Sequence, residues 1–318
     1  MYGASIIDSG RTLGHAGIRC GPLPWMGLPP GAICVIPWRM RPVRITVVVE
    51  NTTFETDTLA EHGLAFWIES DVGKVLFDAG QTPHVLTHNA RRLGIDLGDA
   101  AALFISHGHS DHTGGLVEAV EQIRAPIFLH PHALIGRYCG HDQESPPIGM
   151  PGPVKDLLTE RSVRRCWTRK PTEIVPDLFA TGPVPRETEY EDTGGDFYVD
   201  FERTMPDLIA DDQAMFFHTP EGTVVLLGCA HSGVINTIRY VRVLTGDRPI
   251  YAVIGGMHLK GASDERLTRT VEALREEDVA MIAPAHCSGF DAAARIWAAL
   301  PGRYLPCRVG TTFEFEMT

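Results

Sequence analysis

The segment Ser106-His107-Gly108-His109-Ser110-Asp111-His112-Thr113-Gly114-Gly115 places three imidazoles and a carboxylate within six consecutive positions. Imidazole nitrogens and carboxylate oxygens are the ligands that divalent transition metals take, so this density points to a metal centre and not to packing. In an extended segment His107 and His109 project to the same side and can grip one cation. Asp111 and His112 lie where the chain turns into a helix and can face a second. Gly108, Gly114 and Gly115 are expected to let the backbone turn sharply beside the metal. A merely solvated polar loop does not account for histidines at ligand spacing.

Such a loop needs rigid elements on both sides. Short β-branched or aromatic runs predict strands over 43–50, 64–70 and 74–78, with Asp71-Val72-Gly73 as the tight turn that makes the last two a hairpin. Thr82 and Pro83 supply an N-cap and a first helical proline for a helix ending at Gly94. Residues 101–106 read as a buried strand that delivers the histidines, followed by a helix over 113–122 and a strand over 126–130. The stretch 138–211, rich in Gly, Pro and charge, reads as a long irregular insertion, and long loops inside compact domains tend to be functional. A second hairpin turns at Pro220-Glu221-Gly222, a helix covers 233–244, and strand, helix, strand, helix follow. His258 ends a strand over 250–254 on a Gly-Gly loop, where it could be a general acid or a pocket wall.

With 44% hydrophobic and 21% charged residues, the 318-residue chain can bury a sizeable core, which excludes disorder. A net charge of -12 gives no footprint for nucleic acid or an anionic membrane, a local basic pocket aside. The seven cysteines are odd in number and lack CxxC spacing, so they read as reduced thiols of a cytoplasmic protein. No apolar run reaches the ~18 residues of a spanning helix. Residues 1–40 contain seven Gly and five Pro and read as a poorly ordered extension before a domain at 41–318, with Met40 as an alternative start. Prolines interrupt the only apolar stretch there, which disfavours a signal peptide.

His107-x-His109-x-Asp111-His112 after a buried strand resembles the metallo-β-lactamase superfamily. The setting is similar to that of the branch of dihydropterin-ribofuranosylaminobenzene-phosphate synthase-like metal-dependent hydrolases, through 181–189, Asp211-Asp212-Gln213-Ala214, Gly228-Cys229-Ala230-His231, Gly255-Gly256-Met257-His258 and Pro284-Ala285-His286-Cys287. The resemblance implies an α/β fold, a four-layer αββα sandwich with the metals at one edge between two sheets. It also implies two zinc ions, with manganese or iron as alternatives. It gives His107 and His109 to the first metal and Asp111, His112 and His286 to the second. The superfamily's bridging aspartate after Gly is absent here; His231 is the chosen middle ligand because neutral imidazole suits zinc, with Cys229 thiolate as its rival. Asp78 matches an aspartate that fixes the tautomer of a ligating histidine. Arg186 is the candidate substrate anion binder; Lys260 reads as solvated.

Two zinc ions would bring the pKa of water towards ~7, and Asp111 would orient the resulting nucleophile against a small ester, lactone or phosphoryl substrate. The expected function is therefore a zinc-dependent hydrolase on a small molecule, compatible with a homo-oligomer and with neither nucleic acid nor membrane as partner. A synthase-like transfer displacing pyrophosphate and a non-catalytic, metal-containing ligand sensor are the alternatives. A diiron reductase is disfavoured because His109 stands where a carboxylate would be expected, and a ribonuclease because the chain lacks a basic arm.

Overall fold

A computed structural model describes residues 40–140, 144–160 and 163–318. The expected extension at 1–40 therefore lies, apart from Met40, outside the described residues. The first half runs β1 (Arg41–Val49), β2 (Ala65–Ser70), β3 (Gly73–Phe77), α1 (Pro83–Arg92), β4 (Ala102–Phe104), α2 (Ser110–Thr113), α3 (Leu116–Gln122), β5 (Ile127–Leu129), β6 (Tyr138–Cys139) and α4 (Gly152–Thr159). There follow β7 (Arg165–Trp167), β8 (Thr172–Val175), β9 (Leu178–Ala180), β10 (Phe197–Tyr198), β11 (Ala214–Thr219), β12 (Gly222–Leu227), α5 (Val234–Leu244), β13 (Ile250–Gly256), α6 (Asp264–Glu276), β14 (Met281–Ala285), α7 (Phe290–Ala299) and β15 (Thr312–Met317).

Among the described residues these strands form a seven-stranded sheet, β15-β1-β2-β3-β4-β5-β7, a six-stranded sheet, β14-β13-β12-β11-β9-β8, and a β6-β10 ribbon. Each large sheet has an antiparallel half and a parallel half: β3, β4, β5 and β7 run parallel in the first, and β12, β13 and β14 in the second. Alternation along the strands builds the layers. Phe66, Ile68, Val75 and Phe77 of the first sheet meet Val224, Leu226, Ala252 and Ile254 of the second in one core between them. The intervening residues Trp67, Leu76 and Leu103 face outward onto Leu86, Leu116 and Val154 of α1, α3 and α4. Val225, Leu227 and Val253 do the same against Ile238, Leu274 and Ile296 of α5, α6 and α7. The result is the αββα sandwich, with both faces of each sheet buried.

Local signals explain the elements near the loop of histidines. Thr82 caps α1 by accepting the Val85 N–H at 3.3 Å. The helix expected over 113–122 is instead split, and α2 begins at Ser110, so Asp111 and His112 sit in its first turn. Gly114 and Gly115 adopt ordinary helical φ values of -65° and -69°. Their role is close approach, not sharp turning: a Cβ there would collide with the carbonyl oxygens of Gln81 and Ala79. The stretch 138–211 is also more regular than expected, because it supplies β7 to one sheet and β8 and β9 to the other. A final strand, β15, pairs with β1 after the last expected helix.

Candidate metal centre

Apart from His62, the candidate ligands follow the carboxyl end of a strand or sit in the helix turn just beyond it, where open α/β sheets bind ligands. His107 and His109 follow β4, Cys229 and His231 follow β12, His258 follows β13 and His286 follows β14. Ala230, His258 and His286 hold φ values of 53°, 43° and 52°, and Asp78 after β3 holds 54°. Left-handed backbone at a non-glycine residue costs roughly 1–3 kcal/mol and gathers at functional sites.

Four groups of donor atoms converge, each within 4.8 Å: His107, His109 and His231; His107, His112 and Cys229; Cys229, His258 and Cys287; and His62, Asp111 and His286. Their outward atoms set the tautomers. The Ser106 hydroxyl donates to Asp78 Oδ2 at 2.7 Å and so accepts from His107 Nδ1 at 3.0 Å. His231 Nδ1 donates to the Thr193 carbonyl at 2.8 Å, and His112 Nδ1 to Asp78 Oδ2 at 2.7 Å. His286 Nδ1 donates to Asn51 Oδ1 at 2.9 Å, while Glu50 Oε1 accepts the His286 N–H at 2.7 Å. These bonds tie the Nδ1 side of all four rings to the surrounding shell and turn Nε2 inward.

The inward atoms face one another. His107 Nε2 lies 2.9 Å from His109 Nδ1, and His112 Nε2 lies 3.1 Å from Cys229 Sγ. Asp111 Oδ2 lies 3.1 Å from His286 Nε2, 3.3 Å from His62 Nε2 and 3.8 Å from His112 Nε2. His109 Nε2, His231 Nε2 and His286 Nε2 are buried with no hydrogen-bond partner. Lone pairs and an anion gathered this closely call for cations, and the nitrogen, oxygen and sulfur donors fit divalent transition ions.

Charge states agree for the first group. Burial, then the neighbouring imidazoles, hold His107 well below the ordinary histidine range. Burial likewise holds His109 and His231 well below it, so these rings are neutral. At His112 burial works against the charged form, but Asp111 and Asp78 prevail and push it up to about 9. Burial opposes the Asp111 charge too, yet His112 and His286 hold its carboxyl well below the usual carboxylate range. A metal ion entering beside His112 must therefore displace a proton.

The structure brings together His107, His109, Asp111, His112, His231 and His286, and it places Asp78 behind His112. His258 also reaches the site, with its ring 4.2 Å from that of His231 and a donor nitrogen grouped with the sulfurs of Cys229 and Cys287. Arg186, the expected anion binder, donates from Nη2 to the Leu208 carbonyl at 2.8 Å and lies within electrostatic reach of Asp212, Glu191, Arg266 and Asp192. Sequence reasoning missed His62, isolated in the loop before β2, and Cys287, whose one signal was its place beside His286. It also missed Arg137, fully buried, which donates to Asp207 at 2.7 Å and to both oxygens of Asp211. Asp211 in turn accepts the Gly108 N–H at 2.8 Å, so this network fixes the backbone between His107 and His109.

Sandwich and donor set together define a metallo-β-lactamase fold, and the family model of that superfamily matches residues 59–286; the chain belongs to the metallo-β-lactamase superfamily. A solved relative, Tm1679, described as a metal-dependent hydrolase of the β-lactamase superfamily, has a TM-score of 0.73 and 30% identity, covering 86% of this chain and 99% of its own. An uncharacterized protein of Methanocaldococcus jannaschii is 33% identical over 258 residues, 79% of this chain and 93% of the relative. The 7,8-dihydropterin-6-methyl-4-(β-D-ribofuranosyl)-aminobenzene-5'-phosphate synthase of the same organism is 27% identical over 257 residues, 78% and 87% of the two chains.

Proposed function

We propose that the protein is a metal-dependent hydrolase with two zinc ions, acting on a small ester, lactone or phosphoryl substrate. The observation that carries this reading is the set of inward-facing Nε2 atoms at His107, His112, His231 and His286, each ring locked by a bond on its other nitrogen. His107, His109 and His231 would hold one ion and Asp111, His112 and His286 the other, with His62 and Cys229 completing the donor sets. Bound there, such ions supply Lewis acidity and a nucleophilic water at neutral pH.

The chain's own groups do the rest. The Asp111 carboxylate, kept ionised, accepts a hydrogen from the attacking water and aims its lone pair at the electrophilic carbon or phosphorus. Asp78 keeps the hydrogen of His112 on Nδ1. His258 stands beside His231 with Nδ1 buried and unpartnered, placed to deliver a proton to the departing oxygen.

A second reading, transfer with displacement of pyrophosphate, draws support from the synthase relative alone. The discriminating experiment measures zinc per chain and then assays chromogenic esters, lactones and phosphodiesters beside a pterin pyrophosphate. Close to two ions per chain and hydrolysis are expected. Absence of metal after incubation with zinc would sink both readings, and turnover of the pterin alone would select the second.

A further inference from the structure

A cavity of about 250 Å³ opens beside the donor groups, lined by Asp192, Gly194, His258, Lys260, Ser263 and Arg266 among others. We infer that this cavity is an anion subsite for a phosphoryl group of the substrate that lies away from the bond being broken, an inference that rests on the hydrolase reading above. The strongest observation is Arg266. It is 3% exposed, and although its Nη1 donates to Asp192, its Nε and Nη2 are buried without a partner. A guanidinium keeps its charge and carries five donors, so donors shut away from water need an acceptor.

Asp192 does not use up that charge. Its side chain is 73% exposed, and its Oδ1 also accepts the Gly194 N–H at 2.8 Å. Lys260 is exposed, and its ammonium has no hydrogen-bond or ion-pair partner among the described residues; its backbone N–H, bound to the Cys287 carbonyl at 3.1 Å, ties it to the metal edge. The cavity also sits at the start of the 13-residue helix α6, where Ser263 caps the turn by accepting the Arg266 N–H and the helix dipole adds positive potential. The acidic residues of that first turn have cations of their own: Asp264 pairs with Arg295 at 2.9 Å and Glu265 with Arg269 at 3.6 Å.

Two cations and a helix end thus face one solvent-shared carboxylate, in a chain whose net charge is -12. A planar fork beside a point charge suits a tetrahedral dianion better than a single carboxylate. The distance to the chemistry is short, because His258 lines the cavity while its ring lies 4.2 Å from that of His231. Its Nε2 donates to the Gly194 carbonyl at 3.2 Å, and any Cβ at Gly194, where φ is 84°, would run into that ring. A substrate anchored by its phosphate between Lys260 and Arg266 therefore lays its remaining atoms across His258 and onto the donor groups.

The test titrates inorganic phosphate into the full-length, chelator-treated protein by calorimetry and phosphorus NMR, so that metal ions cannot supply the binding. Saturable binding that weakens with salt is expected, reduced about tenfold in Lys260→Ala and again in Arg266→Lys, which keeps the charge but loses the fork. The same rank order is expected for phosphate as a competitive inhibitor of the zinc-loaded protein. Binding that survives in a protein unable to take up zinc would support the subsite while removing the hydrolase reading. No saturable binding to the metal-free protein, or equal affinity in wild type and both variants with their folds intact, would overturn the subsite and leave the metal centre standing.

Discussion

Asp78→Asn perturbs the site without replacing a proposed ligand, and its consequence can be worked from three hydrogen bonds. Oδ1 accepts the Ser106 N–H at 2.7 Å, while Oδ2 accepts both the Ser106 hydroxyl and His112 Nδ1 at 2.7 Å. Asparagine can keep its oxygen towards the Ser106 amide, but its NH2 then confronts Ser106 Oγ and the His112 ring. The serine hydroxyl can rotate. To accept at Nδ1 instead, the His112 ring, which carries hydrogens on both nitrogens in the metal-free protein, has to give up the one on Nδ1 and keep the one on Nε2, the atom 3.1 Å from Cys229 Sγ. Because Asp78 is fully buried, one or two charge-assisted bonds are lost, and the metal-free protein should lose roughly 2–4 kcal/mol. Because the new tautomer has no lone pair to offer a metal, zinc affinity should fall about 10–100-fold.

Chelator competition measures the affinity and urea denaturation of the metal-free protein the stability. Ser106→Ala is the comparison: it leaves the His112 hydrogen bond and tautomer intact but removes the bond to Asp78 and strands His107 Nδ1, so it should cost the metal-free protein roughly 1–3 kcal/mol. Unchanged zinc affinity in Asp78→Asn would refute the reasoning, because it would mean that the His112 tautomer has no bearing on the centre.

Further outcomes follow from the same geometry. Asp111→Asn should reduce turnover of a hydrolysed chromogenic substrate by roughly 10²-fold or more while the fold survives, and wild-type turnover would overturn the proposed role. His258→Ala should depress turnover most for poor leaving groups; equal losses across a series graded by leaving-group pKa would make it a pocket wall. In the metal-free protein, His107, His109 and His231 are held below 6.5, so the unfolded chain gains protons there that the folded one refuses and stability is lost as pH falls below about 6.5. His112, raised to about 9, contributes stability that is full below 6.5 and lost as pH climbs through 9; urea midpoints rising steadily from pH 7 to pH 9 would contradict that. Deleting residues 1–39 should leave melting temperature and metal content unchanged, and a large fall in either would show that the Gly/Pro-rich segment packs on the rest.

Where one physical signal dominated, the fold was legible. Short β-branched and aromatic runs and the Asp71-Val72-Gly73 turn located the β2–β3 hairpin, and Thr82-Pro83 located the start of α1. The C-terminal strand carried an equally clean signal, with Phe313, Phe315 and Met317 buried between exposed Thr312, Glu314 and Glu316, but its register with β1 is a contact across the whole chain. Strands β7, β8 and β9 are three or four residues long, too short to establish a period of their own, and they are strands only because a sheet edge receives them. Likewise the signal for Arg137 was one arginine amid polar residues; only the fold shows it buried between Asp207 and Asp211.

The site shows why spacing alone could not choose between Cys229 and His231. In an extended strand, residues two apart share a face, so the pair reads as two rivals for one position. The chain has already left β12 at Leu227, however, and Ala230 between them turns into the left-handed region at φ 53°. That turn sends the two side chains apart: His231 joins His107 and His109, while Cys229 stands 3.1 Å from His112. Both side chains therefore reach the centre, one at each donor group. A methyl-bearing residue in that backbone conformation is costly, and the compensation lies in what it separates.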